Sequence, residues 1–359
     1  MSESPSLSSR IGALLDVLRN SGGTDLHISV GMTPQVRIDG VLRPVAGHPV
    51  VTSYDAELML AELLTAEQNA TAKEHGEYDF AFDWRADARV RASAFHQRGF
   101  VSIALRMVPR RVPTLTELGM PAVITELTRM HQGLILITGP TGSGKTTTLA
   151  AMVNQINNER ACHIITIEDP IEYVHDHNLS IVNQREVGRD TPTFGGALRA
   201  ALRSDPDVVL VGEMRDLESI AAALTIAETG HLVLATLHTN DAAQTLARII
   251  DVFPNDQQAQ VRAQLAGALT SVIYQRLIPR IGRGMVAAHE VLIATTAVRN
   301  LIKEAKTHQL RNAMLTGSKD GMSTLEQSLN TLVKAGVVSY DEAVVRSLYP
   351  KEIEVAERA

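Results

Sequence analysis

One cysteine in 359 residues, Cys162, excludes an internal disulfide and any four-cysteine zinc site, so no zinc is expected. It lies beside His163-Ile-Ile-Thr-Ile167 and reads as a small buried residue next to a strand. Long apolar runs are also missing. No stretch approaches the roughly 18 uninterrupted apolar residues of a membrane helix, so none is expected. The start, Met-Ser-Glu-Ser-Pro-Ser-Leu-Ser-Ser9, has neither a basic region nor an apolar core. Residues 1–10 therefore read as a disordered tail rather than a secretory signal, and a cytoplasmic protein is expected. Cationic excess is absent too: 34 Lys and Arg face 40 Asp and Glu, a net charge of -6. That balance gives no support to a broad basic surface, and no direct nucleic-acid partner is expected. What remains is an ordinary soluble composition, 45% hydrophobic and 21% charged, on a chain long enough for two domains.

The first part alternates short strands with helices. Apolar residues at Ile11, Leu14, Leu15 and Leu18 have helical spacing, and residues 26–30 read as a strand. Residues 35–43 form a hairpin, with Asp39-Gly40 as a type I′ turn signal. A helix over 54–72 precedes strands at 78–84, 88–97 and 100–108. Residues 11–108 thus read as a separate α+β domain. Arg91 and Arg106 each fall on one face of their strands by period-2 alternation, so antiparallel pairing would put both guanidinium groups on one surface. They are either solvated arginines on an open sheet or a cationic clamp on phosphate, for which the planar guanidinium fork is suited. Two prolines between Pro109 and Pro113 mark residues 109–116 as a linker.

From residue 117 to 359 apolar runs alternate with helical patterns, as in an α/β domain with a parallel sheet. Its focus is Gly139-Pro140-Thr141-Gly142-Ser143-Gly144-Lys145-Thr146, which satisfies the phosphate-loop pattern GxxxxGK[ST]. A buried strand, 133–138, precedes it and a helix start follows. The glycines let backbone N–H groups converge on phosphate oxygens. Lys145 can then reach the β- and γ-phosphates of ATP, and the Thr146 hydroxyl can meet Mg²⁺. Three further strands end in useful chemistry, where ligands of a parallel sheet gather. Residues 164–167 lead into Glu168-Asp169-Pro170-Ile171-Glu172, 208–211 into Gly212-Glu213, and 232–237 into His238. Glu213 stands where an acid holds magnesium, directly or through water. One of Glu168, Asp169 and Glu172 would polarise the attacking water, and spacing alone leaves the choice open. His238 could bond the γ-phosphate or be an ordinary surface histidine. Apart from Arg203 and Arg215 no arginine lies near the loop, so Arg91 and Arg106 are candidates to complete the site, from the same chain or from a neighbour in a ring.

Longer motifs carry a resemblance. Ile164-Ile-Thr-Ile-Glu-Asp-Pro-Ile-Glu-Tyr-Val-His175, residues 182–187, Asp205-Pro-Asp-Val-Val-Leu-Val-Gly-Glu-Met-Arg-Asp216 and residues 227–240 are similar to the secretion-superfamily ATPases. Within that superfamily the chain resembles the type IV pilus retraction ATPases, the PilT family; Thr24-Asp-Leu-His-Ile-Ser29 looks like the family's N-terminal domain. The resemblance implies a RecA-like ATPase domain after a smaller PAS-like domain. It implies a Walker A motif at 139–146, an Asp box at 164–175, a Walker B motif at 205–216 and a His box at 230–240. The family's catalytic glutamate falls on Glu172, its Walker B glutamate on Glu213, its γ-phosphate histidine on His238, and its N-domain arginines on Arg91 and Arg106. It further implies a homohexamer whose ATP turnover acts on an inner-membrane platform protein, with the ring associated peripherally with that membrane. Extension-type relatives usually insert a four-cysteine module, which a single cysteine disfavours. Ala297-Val-Arg-Asn-Leu-Ile302 resembles the retraction family's AIRNLI motif with Val298 for Ile, and is either a partner surface or a helix packing on its own domain. A motor of a secretion or DNA-uptake pseudopilus and a slow nucleotide-gated binding module are the alternatives.

Overall fold

The structure is a computed structural model that describes residues 9–38, 40–85, 88–109 and 111–355. Most of the expected tail and Asp39 of the hairpin turn lie outside the described residues. The chain divides into two compact units, Met1–Arg111 and Val112–Ala359. The division falls inside the expected 109–116 linker, whose last part belongs to the second unit, where Leu115 is buried.

In the first unit, Ser9 caps α1 (Arg10–Asn20) by accepting the Gly12 N–H, and Ile11, Leu14, Leu15 and Leu18 are buried along one stripe. The strands β1 (Asp25–Ser29), β2 (Gln35–Ile38), β3 (Val41–Pro44), β4 (Glu77–Trp84), β5 (Ala88–Gln97) and β6 (Phe100–Pro109) form one sheet in the order β3-β2-β1-β6-β5-β4. Every pairing in it is antiparallel. Val90, Ala92, Ala94, Ile103 and Leu105 point into a core shared with the helices, while the alternate residues form the opposite face. The single helix expected over 54–72 is instead two, α2 (Ser53–Leu63) and α3 (Ala66–His75). Leu64 is extended, and Thr65 and Gln68 exchange side-chain and backbone hydrogen bonds as a capping box. Satisfying those orphan N–H groups makes a fresh start cheaper than continuing the helix.

The second unit opens with α4 (Ala122–Thr128) and β7 (Gly133–Thr138), then α5 (Lys145–Glu159), β8 (His163–Glu168) and β9 (Ile181–Glu186). There follow α6 (Phe194–Ala201), β10 (Val208–Val211), α7 (Leu217–Glu228), β11 (Leu232–Leu237), α8 (Ala242–Asp251) and α9 (Gln258–Ala268). The hairpin β12 (Leu269–Pro279) and β13 (Met285–Ile293) closes the sheet, whose order is β13-β12-β7-β11-β10-β8-β9. All its pairings are parallel except β12 with β13. Every residue of β7, β10 and β11 is buried, as a sheet covered on both faces requires. Cys162, expected to be buried, is only half-buried just before β8, with Sγ 3.2 Å from Ser180 Oγ.

Helices α10 (Thr296–Lys303), α11 (Leu310–Thr316), α12 (Leu325–Lys334) and α13 (Tyr340–Arg346) complete the unit. Val298 and Ile302 of the AIRNLI-like run are fully buried. Arg299 donates to the carbonyls of Ala266 and, at 2.7 Å, Gly267, which the end of α9 leaves open, and to that of Ala294 just after β13 at 2.9 Å. Most of this motif is therefore spent on its own domain. Asn300 is its exposed polar position.

Candidate active site

The phosphate loop connects β7 to α5 at the carboxyl edge of the parallel strands. Gly142 and Gly144 have positive φ, 77° and 86°, a region that suits glycine. Gly144 is also the N-cap of α5, and no side chain caps that helix, so its first-turn N–H groups remain available to an anion. Ser143 Oγ is buried without a hydrogen-bond partner, and the Thr146 hydroxyl is half-buried. Such a cradle of unspent donors fits the phosphates of a nucleotide.

Lys145 is 8% exposed and its Nζ donates to the carbonyls of Gly139 at 2.9 Å and Pro140 at 3.0 Å. Burial pulls its pKa below the ordinary lysine value, against the opposing pull of Glu213 and Glu172. His238, just past β11, lies between the two kinds of charge: its Nδ1 is 3.5 Å from Lys145 Nζ and its Nε2 is 3.4 Å from Glu213 Oε1. A ring protonated on Nε2 can donate to Glu213 while accepting from Lys145. Glu213 also takes a hydrogen bond of 2.7 Å from Arg215. Burial opposes ionisation of Glu213, but the hydrogen bond and charge of Arg215, together with the contact to His238, outweigh it and hold the carboxyl below the usual range. The backbone around Glu213 is pinned by Gly212 N–H to Ile167 O at 2.8 Å and Met214 N–H to Thr236 O at 3.0 Å.

The three carboxylates after β8 have different surroundings. Glu168 is 8% exposed and accepts from Thr166 Oγ1 at 2.7 Å and Gln184 Nε2 at 3.0 Å. Burial raises its pKa and the Glu172 charge adds to the rise, while the hydrogen bonds from Thr166, Gln184 and the Glu172 backbone offset part of it. It thus ties down the loop that carries Glu172. Gln184 completes the tie, donating to Tyr173 O at 2.8 Å and accepting from His175 N–H at 2.8 Å. Asp169 is exposed and within the field of Arg215. Glu172 is half-buried and within the field of Lys145. Of the three, Glu172 is the carboxylate whose charge reaches Lys145 of the phosphate loop, while Glu168 is spent on Thr166, Gln184 and the Glu172 backbone.

Lys145, Glu172, Glu213 and His238 are thus brought together within the second unit. Arg91 and Arg106 lie in the first unit, directly opposite each other across β5 and β6. Arg91 is exposed and makes no hydrogen bond or ion pair among the described residues. Arg106 donates its Nε–H to Asp25 Oδ1 at 2.7 Å, leaving the outer N–H groups of a 62% exposed side chain. Asp25 is 7% exposed; burial opposes its ionisation, but hydrogen bonds from Thr24 and Arg106 prevail and lower its pKa. Local motifs gave no signal for Gln275, whose amide sits 2.6 Å from Ser143 O and 2.7 Å from Thr148 Oγ1. It lies on β12, more than a hundred residues from the loop it touches, so only the folded sheet reveals it.

Comparisons with known proteins give the family of the chain. The model of a family described as "Type II/IV secretion system protein" matches residues 11–284. The chain belongs to that family and is an ATPase of its phosphate-loop type. It is 47% identical over 341 residues to the type IV pilus retraction ATPase PilT of Pseudomonas aeruginosa, covering 95% of this chain and 99% of that one. A twitching motility protein of Neisseria gonorrhoeae is 45% identical, covering 87% of this chain and 83% of its own. Among solved structures, the pilus retraction motor PilT with bound ADP superposes with a TM-score of 0.88 at 47% identity, covering 94% of this chain and 97% of that one. The likeness within the family is thus to the pilus retraction branch. No helix among the described residues is long and apolar enough to cross a membrane.

Proposed function

We propose that this chain hydrolyses ATP to power retraction of type IV pili, and so twitching motility. The 47% identity to a pilus retraction ATPase over 95% of the chain carries the proposal, and the gathering of Lys145, Glu213 and His238 at one strand edge supports it chemically. Residues 139–146 bind the phosphates, with Lys145 as their principal cation. Glu172, on the loop held by Glu168 and Gln184, orients and polarises the attacking water. His238 contacts the γ-phosphate and links its presence to Glu213. Thr146 and Glu213 hold Mg²⁺, Glu213 partly through water, and the ion neutralises charge on the phosphates. A single carboxylate and a hydroxyl are a normal protein contribution for magnesium, which takes its other ligands from phosphate and water.

Arg91 and Arg106 supply the remaining positive charge from an adjoining protomer of a homohexamer. The ring works at the cytoplasmic face of the inner membrane on the pilus platform protein. Two measurements test the proposal. Steady-state phosphate release by the wild-type protein should exceed that of Lys145→Ala by about a thousandfold or more; equal rates would defeat a motor. Cells lacking the protein should still extend fluorescent pili but lose shortening events, and retained shortening would overturn the retraction assignment.

A further inference from the structure

Resting on the nucleotide reading of residues 139–146, we infer that Gln275 is a positioning residue that holds the phosphate loop in its nucleotide-binding shape from the far side. Its side chain is 3% exposed and bonded at both ends. Nε2 donates to Ser143 O at 2.6 Å, and Oε1 accepts from Thr148 Oγ1 at 2.7 Å. One amide therefore grips the loop two residues before Lys145 and the first turn of α5 three residues after it.

A second observation shows how closely β12 presses on the same loop. A Cβ on Gly139 would stand 2.2 Å from the Gln275 carbonyl oxygen, and one on Gly144 would stand 2.8 Å from Gln275 Nε2. These two glycines are needed by the strand behind the loop as well as by the phosphates in front. Lys145 Nζ meanwhile bonds the carbonyls of Gly139 and Pro140, so the loop is held from inside at one end and from β12 at the other.

The amide is suited to this task because at any pH it offers a donor to the Ser143 carbonyl and an acceptor to the Thr148 hydroxyl. Leucine of similar volume offers neither, which costs the Ser143 carbonyl its amide donor and leaves the Thr148 hydroxyl only the weak acceptor Met120 Sδ at 4.0 Å. A glutamate in the ionised form can still accept from Thr148 but repels the Ser143 carbonyl. When protonated it is an isostere of the amide, and its O–H replaces the lost donor. Burial favours that protonated form, so recovery begins above the ordinary glutamate range as pH falls.

The test uses the full-length protein and fluorescent ADP as the probe, with phosphate release read in parallel. Gln275→Leu should weaken nucleotide binding by about tenfold while turnover at saturating ATP falls by less than about threefold. Thr148→Val should weaken it by less, and the double variant should lose little more than Gln275→Leu alone. Gln275→Glu should bind weakly at pH 8 and recover toward wild-type affinity as pH is lowered to 6, with no matching recovery in Gln275→Leu. Melting temperatures without nucleotide identify any variant that fails to fold; Gln275→Glu, compared with itself across pH, then decides the matter. A folded Gln275→Leu with wild-type affinity, or a Gln275→Glu whose affinity relative to wild type ignores pH, overturns the inference. A wild-type protein that hydrolyses no faster than Lys145→Ala would instead overturn the nucleotide reading beneath it.

Discussion

The two sheets of this protein put their chemistry in different places. The six-stranded sheet of the first unit is antiparallel and covered on one face, so its charged residues Asp25, Arg91 and Arg106 project from the other face. The seven-stranded sheet of the second unit is parallel apart from one edge and covered on both faces. It has no face to spare, and Lys145, Glu172, Glu213 and His238 gather where its strands end. A half-covered sheet offers a surface that can be lent to a partner. A fully covered one offers an edge, where several loops converge on a small molecule.

The strongest way to break this contrast is to separate the carboxylates at the strand edge. Glu172→Gln should lower turnover by about a thousandfold, with nucleotide binding retained, whereas Glu168→Gln should cost less than about tenfold. Steady-state phosphate release with a parallel ADP-binding titration measures both. The reverse ranking would move the water-activating role to Glu168. Next comes the lent surface. The Arg91→Ala/Arg106→Ala double variant should lose about a hundredfold in turnover but keep its ADP affinity, and a mixture with Glu172→Gln protein should regain part of the activity. No recovery in the mixture would mean that each chain completes its own site.

Two smaller effects concern stability. Glu290, on β13, is 2% exposed and accepts the Ala242 N–H at 2.9 Å; burial is the main cause that pushes its pKa up to about 7 from 4.5. The folded state thus keeps a proton that the unfolded state releases, so stability falls as pH rises from about 4.5 to 7 and levels off above. Glu290→Gln keeps the acceptor and removes that cost. It should match wild type near pH 4 and exceed it by about 3 kcal/mol at pH 8, as thermal melts would show. Asp25 has the opposite sign. Its lowered pKa contributes stability above the unfolded value of 3.8 that is lost as pH falls through the folded value. Asp25→Asn should cost about 1 kcal/mol at pH 7 and progressively less as pH falls below 3.8, with turnover falling a few-fold as Arg106 exchanges its ion pair for a neutral hydrogen bond. An unchanged turnover would mean that Arg106 needs no orientation from Asp25.

The contrast also explains what could be read from the chain. Strand β4 and residues 88–94 of β5 alternate because one face is wet, and the limits of β4, β5 and β6 and the shared face of Arg91 and Arg106 were legible to within a residue or two. The strands around the phosphate loop were legible as short continuous apolar runs. The break between α2 and α3 was missed because alanine- and glutamate-rich helical composition hid the Thr65–Gln68 capping box. Spacing alone did not separate Glu168 from Glu172, since they differ in burial and burial is a property of the folded sheet. The interplay of Gln275 with Ser143 and Thr148 lay beyond any local pattern, because its partners are brought together only by strand order.

The three carbonyls gripped by Arg299 bear on how genetic data should be interpreted. A loss-of-motility allele at Val298, Arg299 or Ile302 would chiefly score whether α9 and α10 stay joined, so a cluster of such alleles does not map a docking site. Asn300 is the position in that hexapeptide where a phenotype with normal protein abundance would speak for recognition by something outside the chain.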